Sequence, residues 1–516
     1  MNEAASHLVI VPVLLPLVAG ALMLPLSERR HALKGAISII SASLLLACTI
    51  LLAMRVGEPL TYVYSVGDWP ARFGIVLVAD QLSALMVLLS ATLGVSAVLF
   101  SFAGWDKAGA HFHSLVQFLL AGLNGAFLTG DLFNLFVFFE LFLAASYALA
   151  LHGGGIRRVR ASVHYIVLNL AASLLFLVGV SLMYGIAGTL NMADLATELP
   201  RIAKEDRALL EIGAATLGVA FVVKAGIWPL GFWLSPTYAA ASAPAAALFS
   251  ILSKVGVYAA VRVWYLVFGG TGGEFLMYGG IATVIFAVLG MLSSHGLGRI
   301  AGFSVLASSG TVLSTIGLQI PAATAAAFYY LTASTLGIAA LFLIVELVER
   351  SREPGADIVA ITAEEYGLAS RNDEREEQPG VAIPGTMAVL GLTFTGIALV
   401  IAGLPPLPGF VAKFAILATL LNADSIQPAA WVLLALILLA SLASIISLGR
   451  AGVRVFWLEG RSIPRVRPAE IVPIGALLAA CIALTIAAGP AMRYMASAAE
   501  SLHNPASYIE GVMRSQ

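Results

Sequence analysis

Charged residues are scarce in this sequence. Asp, Glu, Lys and Arg make up only 11% of the 516 residues, and 60% are hydrophobic, whereas ordinary globular proteins carry about 25% charged residues. So few charged side chains do not cover the surface of a soluble protein of this length. The apolar residues also occur in runs about 20 residues long, which is the length of a membrane-spanning helix. The net charge of −1 offers no attraction for nucleic acid. We predict a polytopic membrane protein embedded in a lipid bilayer.

Cysteine and the common cofactor motifs are also lacking. Cys48 and Cys481 lie in separate apolar runs, which predicts small buried residues rather than a metal cluster or a disulfide. The sequence contains no Walker A motif, dinucleotide glycine fingerprint, CxxC or HExxH. The eight histidines lie at the edges of apolar runs or outside them, so metal or haem at membrane depth has no ligands. We expect no cofactor, no metal and no enzymatic reaction.

Apolar runs long enough to cross a bilayer recur along the chain. A transmembrane helix needs roughly 17–25 mostly apolar residues, because backbone polar groups in lipid must be bonded within the helix. About fourteen runs meet this requirement. They lie near 8–26, 33–54, 79–103, 113–129, 131–151, 161–187, 209–230, 241–268, 275–294, 300–319, 322–348, 384–422, 428–456 and 469–489. The sequence therefore predicts an all-α membrane protein.

The loops between these runs predict its orientation. Lys and Arg concentrate in alternate loops, such as those with Arg29, Arg157 and Arg461, and basic loops stay in the cytoplasm. With an even number of spans, both termini face outward from a bacterial cytoplasmic (inner) membrane.

Two segments lie outside the predicted spans. Residues 57–78 contain β-type residues around a Gly-Asp-Trp-Pro turn, which predicts a small outer hairpin. Residues 350–380 carry four Arg and eight acidic side chains and are expected to form a polar inner linker, either a solvated loop or a docking tether.

Four ionisable residues lie inside the predicted spans: Glu140, Lys224, Lys254 and Lys413. A charge at this depth costs roughly 2.5–3.5 kcal/mol even on lenient insertion scales, so each needs a partner, water or a function. For Glu140, burial favours the neutral carboxyl and a nearby cation favours the carboxylate, so this group is suited to accept and release a proton. The alternative is a protonated acid that bonds a neighbouring helix.

Lys224 lies just before a helix interruption. Gly226 and Pro229 follow it and predict a break that frees backbone carbonyls, which membrane helices tolerate where they line a hydrated cavity. Glu140 is the expected counter-ion, because it is the only carboxylate predicted in the middle of a span. The alternative, a lysine that extends to the membrane surface, is disfavoured by the apolar residues on both sides.

Lys254 lies at the centre of its predicted span. Ser250, Lys254, Tyr258 and Arg262 recur at intervals of four and therefore share one helix face. Such a stripe predicts the wall of a half-channel that leads from the membrane centre to one surface. The alternative is a polar seam between two helices.

Lys413 follows a second interruption. Pro405, Pro406, Pro408 and Gly409 interrupt the long run 384–422, which predicts two half-helices around a broken centre, as found near ion pathways. Extension of Lys413 to the surface is again the alternative. Hydroxyl and amide stripes elsewhere either hydrate such pathways or serve as helix contacts: Tyr165, Asn169 and Ser173; Ser304, Ser308 and Thr311; Ser441 and Ser444.

Four segments resemble a known family. They are residues 165–196, KAGIWPLGFWL at 224–234, ALFSILSKVGVYAAVR at 247–262 and AGLPPLPGFVAKF at 402–414. They look like the large subunits, D-type in particular, of Mrp-type multi-subunit sodium/proton antiporters. The antiporter-like proton-pumping subunits of respiratory complex I belong to the same superfamily. The resemblance covers nearly all of residues 80–455.

This resemblance implies fourteen helices that contain two inverted five-helix repeats, each with one broken helix. It also implies a chain of titratable groups across the membrane centre, onto which Glu140, Lys224, Lys254 and Lys413 map. Ser309 and Ala333 stand where some relatives carry histidine, so water and hydroxyls are expected to link the lysines here. The expected organisation is N-terminal helices 1–112, a first repeat 113–268, a second repeat 269–349 and 384–458 around linker 350–383, and a C-terminal part 459–516.

We therefore hypothesise that this chain is a proton-translocating subunit of a multi-subunit antiporter for H⁺ and Na⁺, or another monovalent cation such as K⁺ or Li⁺. Protons would enter at Glu140 and Lys224, pass Lys254 and leave at Lys413. One alternative is a proton-pumping subunit of a complex I-type or membrane hydrogenase complex. A structural scaffold subunit is the alternative from another class. No sodium site is evident, because sodium needs several oxygen ligands and Glu140 is the only carboxylate predicted in the middle of a span.

Overall fold

The computed structural model describes residues 3–57, 61–72, 74–350, 385–422, 428–456 and 466–514. Apart from Arg350, the predicted linker lies outside these residues. Within them the chain is helical except for one small hairpin. The helices of the first half are α1 Glu3–Met23, α2 His31–Arg55, α3 Gln81–Ser101, α4 Phe112–Leu128, α5 Leu132–Ala150, α6 Ile156–Ala187, α7 Met192–Glu198, α8 Arg207–Ala225, α9 Leu234–Ala240 and α10 Ala243–Phe268.

The second half continues the helical pattern. Its helices are α11 Gly273–Ser293, α12 Leu297–Gly317, α13 Pro321–Glu349, α14 Gly385–Ala402, α15 Pro408–Leu421, α16 Pro428–Phe456, α17 Pro468–Ile486, α18 Ala488–His503 and α19 Ala506–Met513. Their starts follow local sequence: Asp80 and Asp131 accept hydrogen bonds from backbone N–H groups at the starts of α3 and α5, and proline stands at the first turn of α10, α13 and α15. Both features satisfy or remove donors that a helix start leaves free.

The predicted spans are present. Among the described residues, thirteen helices are long and apolar enough to cross a membrane. The 17-residue helix α4 is the fourteenth, at the short end of the range for a span. The short helices α7, α9, α18 and α19 are additional to the predicted spans. The arrangement of two inverted repeats stays a prediction.

The predicted hairpin is also present. β1 (Tyr62–Ser65) pairs antiparallel with β2 (Val76–Ala79) in the register Tyr62 to Ala79. The ring of His7 in α1 lies 5.5 Å from that of Tyr64, and a Cβ added to Gly511 in α19 would lie 3.4 Å from Thr61. The beginning of α1 and the end of α19 therefore lie at the same face of the bundle, which we call the hairpin face.

The basic loops meet at the opposite face. Lys34 donates to Glu28 over 2.6 Å, and His111 lies 3.0 Å from the same carboxylate. Burial raises the pKa of Glu28, but the hydrogen bonds from Lys34 and His111 outweigh it and hold this pKa below its ordinary value. Elsewhere on this face Arg467 donates to the carbonyl of Ala103, and Arg350 pairs with Glu470. The loops predicted to share one side therefore do so, and the cytoplasmic location of this side stays a prediction.

Three helices form the centre of the bundle. α10, α12 and α13 are almost wholly buried along their apolar stretches, whereas α1, α2, α6, α11 and α16 are less than half buried along theirs. The exposed surface is rich in Leu, Val, Ile and Phe, as expected for a lipid-facing surface. Lys254 lies in α10 and is fully buried, so the protein places a charge-bearing side chain on one of these three central helices.

Candidate functional site

The first helix interruption separates α8 from α9. Gly226 ends α8 in the left-handed region with φ of 72°, a conformation that glycine adopts without steric cost. A Cβ added to Gly231 would lie 1.9 Å from the carbonyl oxygen of Gly226, so only glycine allows this close turn. The predicted break at Gly226 and Pro229 is therefore confirmed, and it leaves Lys224 in the last turn of α8.

Lys224 is linked to Glu140 through a serine. Its Nζ donates to the hydroxyl of Ser173 over 3.0 Å, and that hydroxyl donates to the carboxylate of Glu140. The direct distance from Nζ to Oε1 of Glu140 is 3.9 Å. Nζ also lies 4.8 Å from the ring centroid of Phe139, a favourable cation–π contact. The predicted pairing of Glu140 with Lys224 is present, and Ser173 of α6 completes it.

Glu140 lies at the surface of the chain. Its side chain is 34% exposed, against 2% for Lys224. Phe133 and Val137 lie on the same exposed face of α5, which is otherwise apolar. A carboxylate on an apolar membrane-facing stripe is expensive unless another group covers it. This face of α5 is therefore suited to contact another membrane protein.

A small cavity adjoins Lys224. Its volume is about 10 Å³, close to the room that one water molecule requires. Lys224, Tyr165 and Asn169 provide polar atoms around it, and Trp233 and Leu252 are among its apolar walls. The stripe of Tyr165, Asn169 and Ser173 is therefore part of the surroundings of Lys224.

Lys254 contacts neutral oxygens. Its Nζ donates to the hydroxyl of Ser309 over 2.8 Å and to the carbonyl of Val305 over 3.2 Å, both in α12. Ser309 in turn donates to Ser253 over 3.3 Å. Among the described residues, no carboxylate forms an ion pair with Lys254 within 4.0 Å. Its charged form is therefore stabilised by dipoles alone.

The remaining residues of the Lys254 stripe are held in fixed contacts. Ser250 donates to the carbonyl of Ala247, and Tyr258 donates to that of Phe127 over 2.6 Å. Arg262 forms a buried pair with Asp80, with a shortest distance of 2.6 Å. Asp80 was not among the predicted residues, because it lies at the very start of the predicted span 79–103 and 182 positions from Arg262. A proton path along Ser250, Tyr258 and Arg262 stays a prediction.

The second interruption separates α14 from α15. Gly403 has φ of 75°, and a Cβ added to Gly409 would lie 1.8 Å from the carbonyl oxygen of Val400. The segment with Pro405, Pro406 and Pro408 connects the two half-helices. The predicted break is therefore confirmed.

Lys413 binds the carbonyls that this break frees. Its Nζ donates to the carbonyl oxygens of Ile401 and Ala402 over 3.1 and 3.0 Å. The third contact is to the hydroxyl of Ser441 over 2.8 Å. The last carbonyls of a helix lack intrahelical partners and carry partial negative charge. The end of α14 is therefore a ready acceptor for the ammonium group, and Lys413 does not extend to the surface.

Hydroxyl groups connect the surroundings of Lys254 and Lys413. Ser308 is adjacent to Ser309 in α12, and its hydroxyl lies 2.7 Å from that of Ser334 in α13. Ser334 lines a cavity of about 10 Å³ together with Lys413, and Ser304, Tyr330 and Ser444 also line it. This cavity, too, has the size of one water molecule. Ser334 and Tyr330 were not among the predicted residues, although they lie four positions apart in α13 and share one helix face.

Glu140, Lys224, Lys254 and Lys413 are therefore all buried or half-buried within the helical bundle, each in contact with polar groups. The contacts join Glu140 directly to Lys224. Lys254 contacts Ser309 of α12, and Lys413 lines one small cavity together with Ser304 of the same helix. Their roles in transport stay a prediction.

The chain matches the family described as "NADH:quinone oxidoreductase/Mrp antiporter, TM" over residues 129–440. This range contains all four charged residues and both interruptions.

Similarity to individual proteins extends over the whole chain. A D-type subunit of a probable K(+)/H(+) antiporter from Rhizobium meliloti is 52% identical over 99% of this chain and 98% of its own length. The D-type Na(+)/H(+) antiporter protein of Alkalihalophilus pseudofirmus is 36% identical over 99% and 100%. A chain in the structure of the Mrp complex from Dietzia sp. superposes with a TM-score of 0.84 at 26% identity, over 99% of this chain and 100% of that one. The chain therefore belongs to the NADH:quinone oxidoreductase/Mrp antiporter transmembrane family, within which it is similar along its full length to the D-type antiporter proteins.

Proposed function

We propose that this chain is a proton-translocating subunit of a multi-subunit antiporter that exchanges H⁺ for a monovalent cation. The observation that carries the proposal is the set of three buried lysines, each bonded to hydroxyls and joined in part by further hydroxyls and small polar cavities. Proton carriers at membrane depth need such partners. The 52% and 36% identical relatives are named as parts of antiporters, which supports the same role. The chain is a transporter subunit rather than an enzyme.

The proton enters at Glu140 and Lys224. The hydroxyl of Ser173 contacts both groups, so it can receive a proton on one lone pair while it donates its own. Separation of Glu140 from Lys224 changes which of the two holds the proton, because each charge stabilises the other. The ion pair therefore serves as the gate.

The next step takes the proton to Lys254. α10 packs directly on the end of α8: a Cβ added to Gly256 would lie 2.5 Å from the backbone nitrogen of Ala225. The cavity beside Lys224 reaches Leu252 of α10. A water molecule in this cavity shortens the path between the two lysines, which belong to adjoining helices.

The last step takes the proton from Lys254 to Lys413. Ser309 contacts Lys254, Ser308 contacts Ser334, and Ser334 lines the cavity beside Lys413. Hydroxyls both donate and accept, so these serines and one water can replace the histidines that some relatives carry. Release follows the second interruption, where the carbonyls of Ile401 and Ala402 hold the lysine.

Partner subunits complete the transporter. The half-exposed carboxylate of Glu140 on an apolar face of α5 is the place where a neighbouring subunit alters the gate. Cation binding elsewhere in the complex then drives proton movement through this contact. Binding at the cation site shifts the equilibrium of the Glu140–Lys224 pair, and protonation of the pair changes cation binding in return.

The exchanged cation is Na⁺ or K⁺. The 36% identical relative is named for Na⁺, whereas the 52% identical one is named for K⁺. Only one of the four charged residues inside spans is a carboxylate, too few oxygen ligands for a hard cation. We place the cation path in another subunit.

The orientation follows from charge. We place the basic face in the cytoplasm and the hairpin face, with both termini, outside a bacterial cytoplasmic membrane. The division into two inverted repeats, residues 113–268 and residues 269–349 with 384–458, belongs to the same proposal.

A second candidate function is a proton-pumping subunit of a redox complex. The family description, which includes NADH:quinone oxidoreductase, favours it. The same four residues would then carry protons, but electron transfer elsewhere would drive them.

Everted membrane vesicles that contain the complete complex decide between these functions. We expect addition of Na⁺ or K⁺ to collapse a preformed pH gradient, and Lys254→Ala to abolish this response while the complex stays assembled. Formation of a pH gradient on addition of an electron donor, with no response to a cation, indicates the redox complex. A normal response from Lys254→Ala and from the matching changes at Glu140, Lys224 and Lys413 indicates a scaffold and contradicts the proposal.

A further inference from the structure

A long groove runs along α8 at the hairpin face. Its volume is about 980 Å³, and helices α8, α10 and α11 form its walls, with Pro505 and Ile509 near one end. Ten residues of α8 line it, and five of them recur every three or four positions and share one helix face: Arg207, Glu211, Ala214, Gly218 and Val222. Because Ala214 and Gly218 carry small side chains, α8 leaves space here, whereas its last turn packs on α10.

The groove opens to the membrane-facing surface and is separate from the proton site. Val219 and Phe275 line it and are 44% and 80% exposed. None of the four charged residues inside spans lines it. Leu217, which also reaches the groove, packs against Gly179 of α6. The groove therefore lies on the membrane side of the helix that carries Lys224.

The groove is long enough to hold lipid acyl chains. Its lining from Arg207 to Val222 covers 15 residue steps, about 22 Å at 1.5 Å per residue. Extended acyl chains can lie along this length against the apolar side chains of α8 and α10.

The two charged residues that line the groove, Arg207 and Glu211, lie at one of its ends. Arg207 and Glu211 are one turn apart, and among the described residues neither forms an ion pair within 4.0 Å. Trp264 lines the same groove, and its shielded ring N–H has no hydrogen-bond partner in the described part of the chain. A cation, an anion and a free donor beside an apolar channel match a zwitterionic headgroup above acyl chains.

We propose that this groove binds one phospholipid of the phosphatidylethanolamine type from the membrane leaflet at the hairpin face. The acyl chains lie along Ala214, Gly218 and Val222. Arg207 binds the phosphate, and Glu211 binds the ammonium group. The lipid completes the packing between α8 and α10, and the binding is independent of the transported ion.

Native mass spectrometry of the complete complex tests this site. The probes are phosphatidylethanolamine and phosphatidylglycerol with the same acyl chains. A Cβ at Gly218 meets no atom within 4 Å, and the same holds for Gly185 in α6, which does not line the groove. A side chain at position 218 therefore begins in open space, so Gly218→Phe is the variant that fills the groove, and Gly185→Phe is the matched control. We expect Gly218→Phe to lose one bound phosphatidylethanolamine per complex and Gly185→Phe to keep it.

The headgroup contacts are tested separately. We expect Arg207→Ala to weaken the binding of both lipids. We expect Glu211→Gln to weaken the binding of phosphatidylethanolamine alone. Unchanged retention of phosphatidylethanolamine by Gly218→Phe would overturn the site. An equal effect of Glu211→Gln on both lipids would overturn the assignment of the headgroup, and so would a cross-link from Gly218→Cys to another subunit instead of to lipid.

Discussion

In the first interruption the lysine precedes the break, whereas in the second it follows. Lys224 lies two residues before Gly226, in the last turn of α8. Lys413 lies ten residues after Gly403, in α15, and its side chain turns back towards the break: a Cβ added to Gly403 would lie 2.6 Å from its Cδ. The two lysines therefore meet different groups.

Those groups set what can control each lysine. Lys224 reaches a carboxylate through Ser173, and that carboxylate lies at the surface of the chain. Lys413 binds two backbone carbonyls and one hydroxyl, all neutral. A full charge at a surface responds to a neighbouring subunit, but backbone dipoles respond only if the helix end moves. We infer that the first interruption receives the coupling signal and the second holds the far end of the path.

Removal of either lysine has the largest expected effect. Because proton transfer by a positioned group contributes about a hundredfold or more, Lys224→Met and Lys413→Met are each expected to lower cation-dependent proton movement to background. Fluorescence of a pH-sensitive dye in everted vesicles measures this. Lys107→Met, a change of an exposed loop lysine, is the control and should be silent. Full activity of either variant would remove that lysine from the path.

The glycine at the second interruption is the next most sensitive position. Gly409→Ala places a Cβ within 1.8 Å of the carbonyl oxygen of Val400, whereas Gly396→Ala in α14 meets only Leu478 at 3.8 Å. Overpacking of this kind costs about 1–3 kcal/mol. We expect Gly409→Ala to lower the Tm of the purified complex and its transport together, and Gly396→Ala to change neither. Equal Tm values for the two variants would show that the close approach is unimportant.

The serine at the first interruption has an intermediate effect. Ser173→Ala removes the only hydroxyl that contacts both Glu140 and Lys224 among the described residues. A hydrogen bond to a charged group contributes about 1.5–3 kcal/mol, so transport is expected to slow at least about tenfold. Initial rates in vesicles with equal amounts of complex measure the change. Ser181→Ala, an exposed serine of the same helix, should leave the rate unaltered.

Much of this site is predictable from the sequence, for a physical reason. A charge in an apolar run, or Gly and Pro in a long run, is visible without any knowledge of tertiary contacts. That is why the sequence predicts Glu140, Lys224, Lys254 and Lys413 and both interruptions.

What the sequence does not show depends on helix packing. Ser334 is one of many hydroxyl residues in α13, and only its position opposite Ser308 distinguishes it. Asp80 starts a helix, as such residues do, and its pairing with Arg262 requires the fold. The groove along α8 is likewise invisible, because small residues on a helix face predict either close packing or space.

The smallest effect is expected at the second interruption. Ser441→Ala removes one of three contacts of Lys413, and both carbonyls remain. Because the two carbonyls still hold the ammonium group, we expect the loss of this one bond to cost about 0.5–1.5 kcal/mol, less than a typical bond to a charged group, and the transport rate to fall about twofold to tenfold. A larger loss than that of Ser173→Ala would reverse the proposed difference between the two interruptions.

Glu140→Gln tests the central claim most directly. Glutamine keeps the size of the side chain and a carbonyl oxygen for Ser173, but it neither carries the charge nor takes up a proton. In everted vesicles with equal amounts of assembled complex, we predict that cation-dependent collapse of the pH gradient falls by about tenfold or more. Full exchange by Glu140→Gln at unchanged expression would contradict a gate formed by Glu140, Ser173 and Lys224.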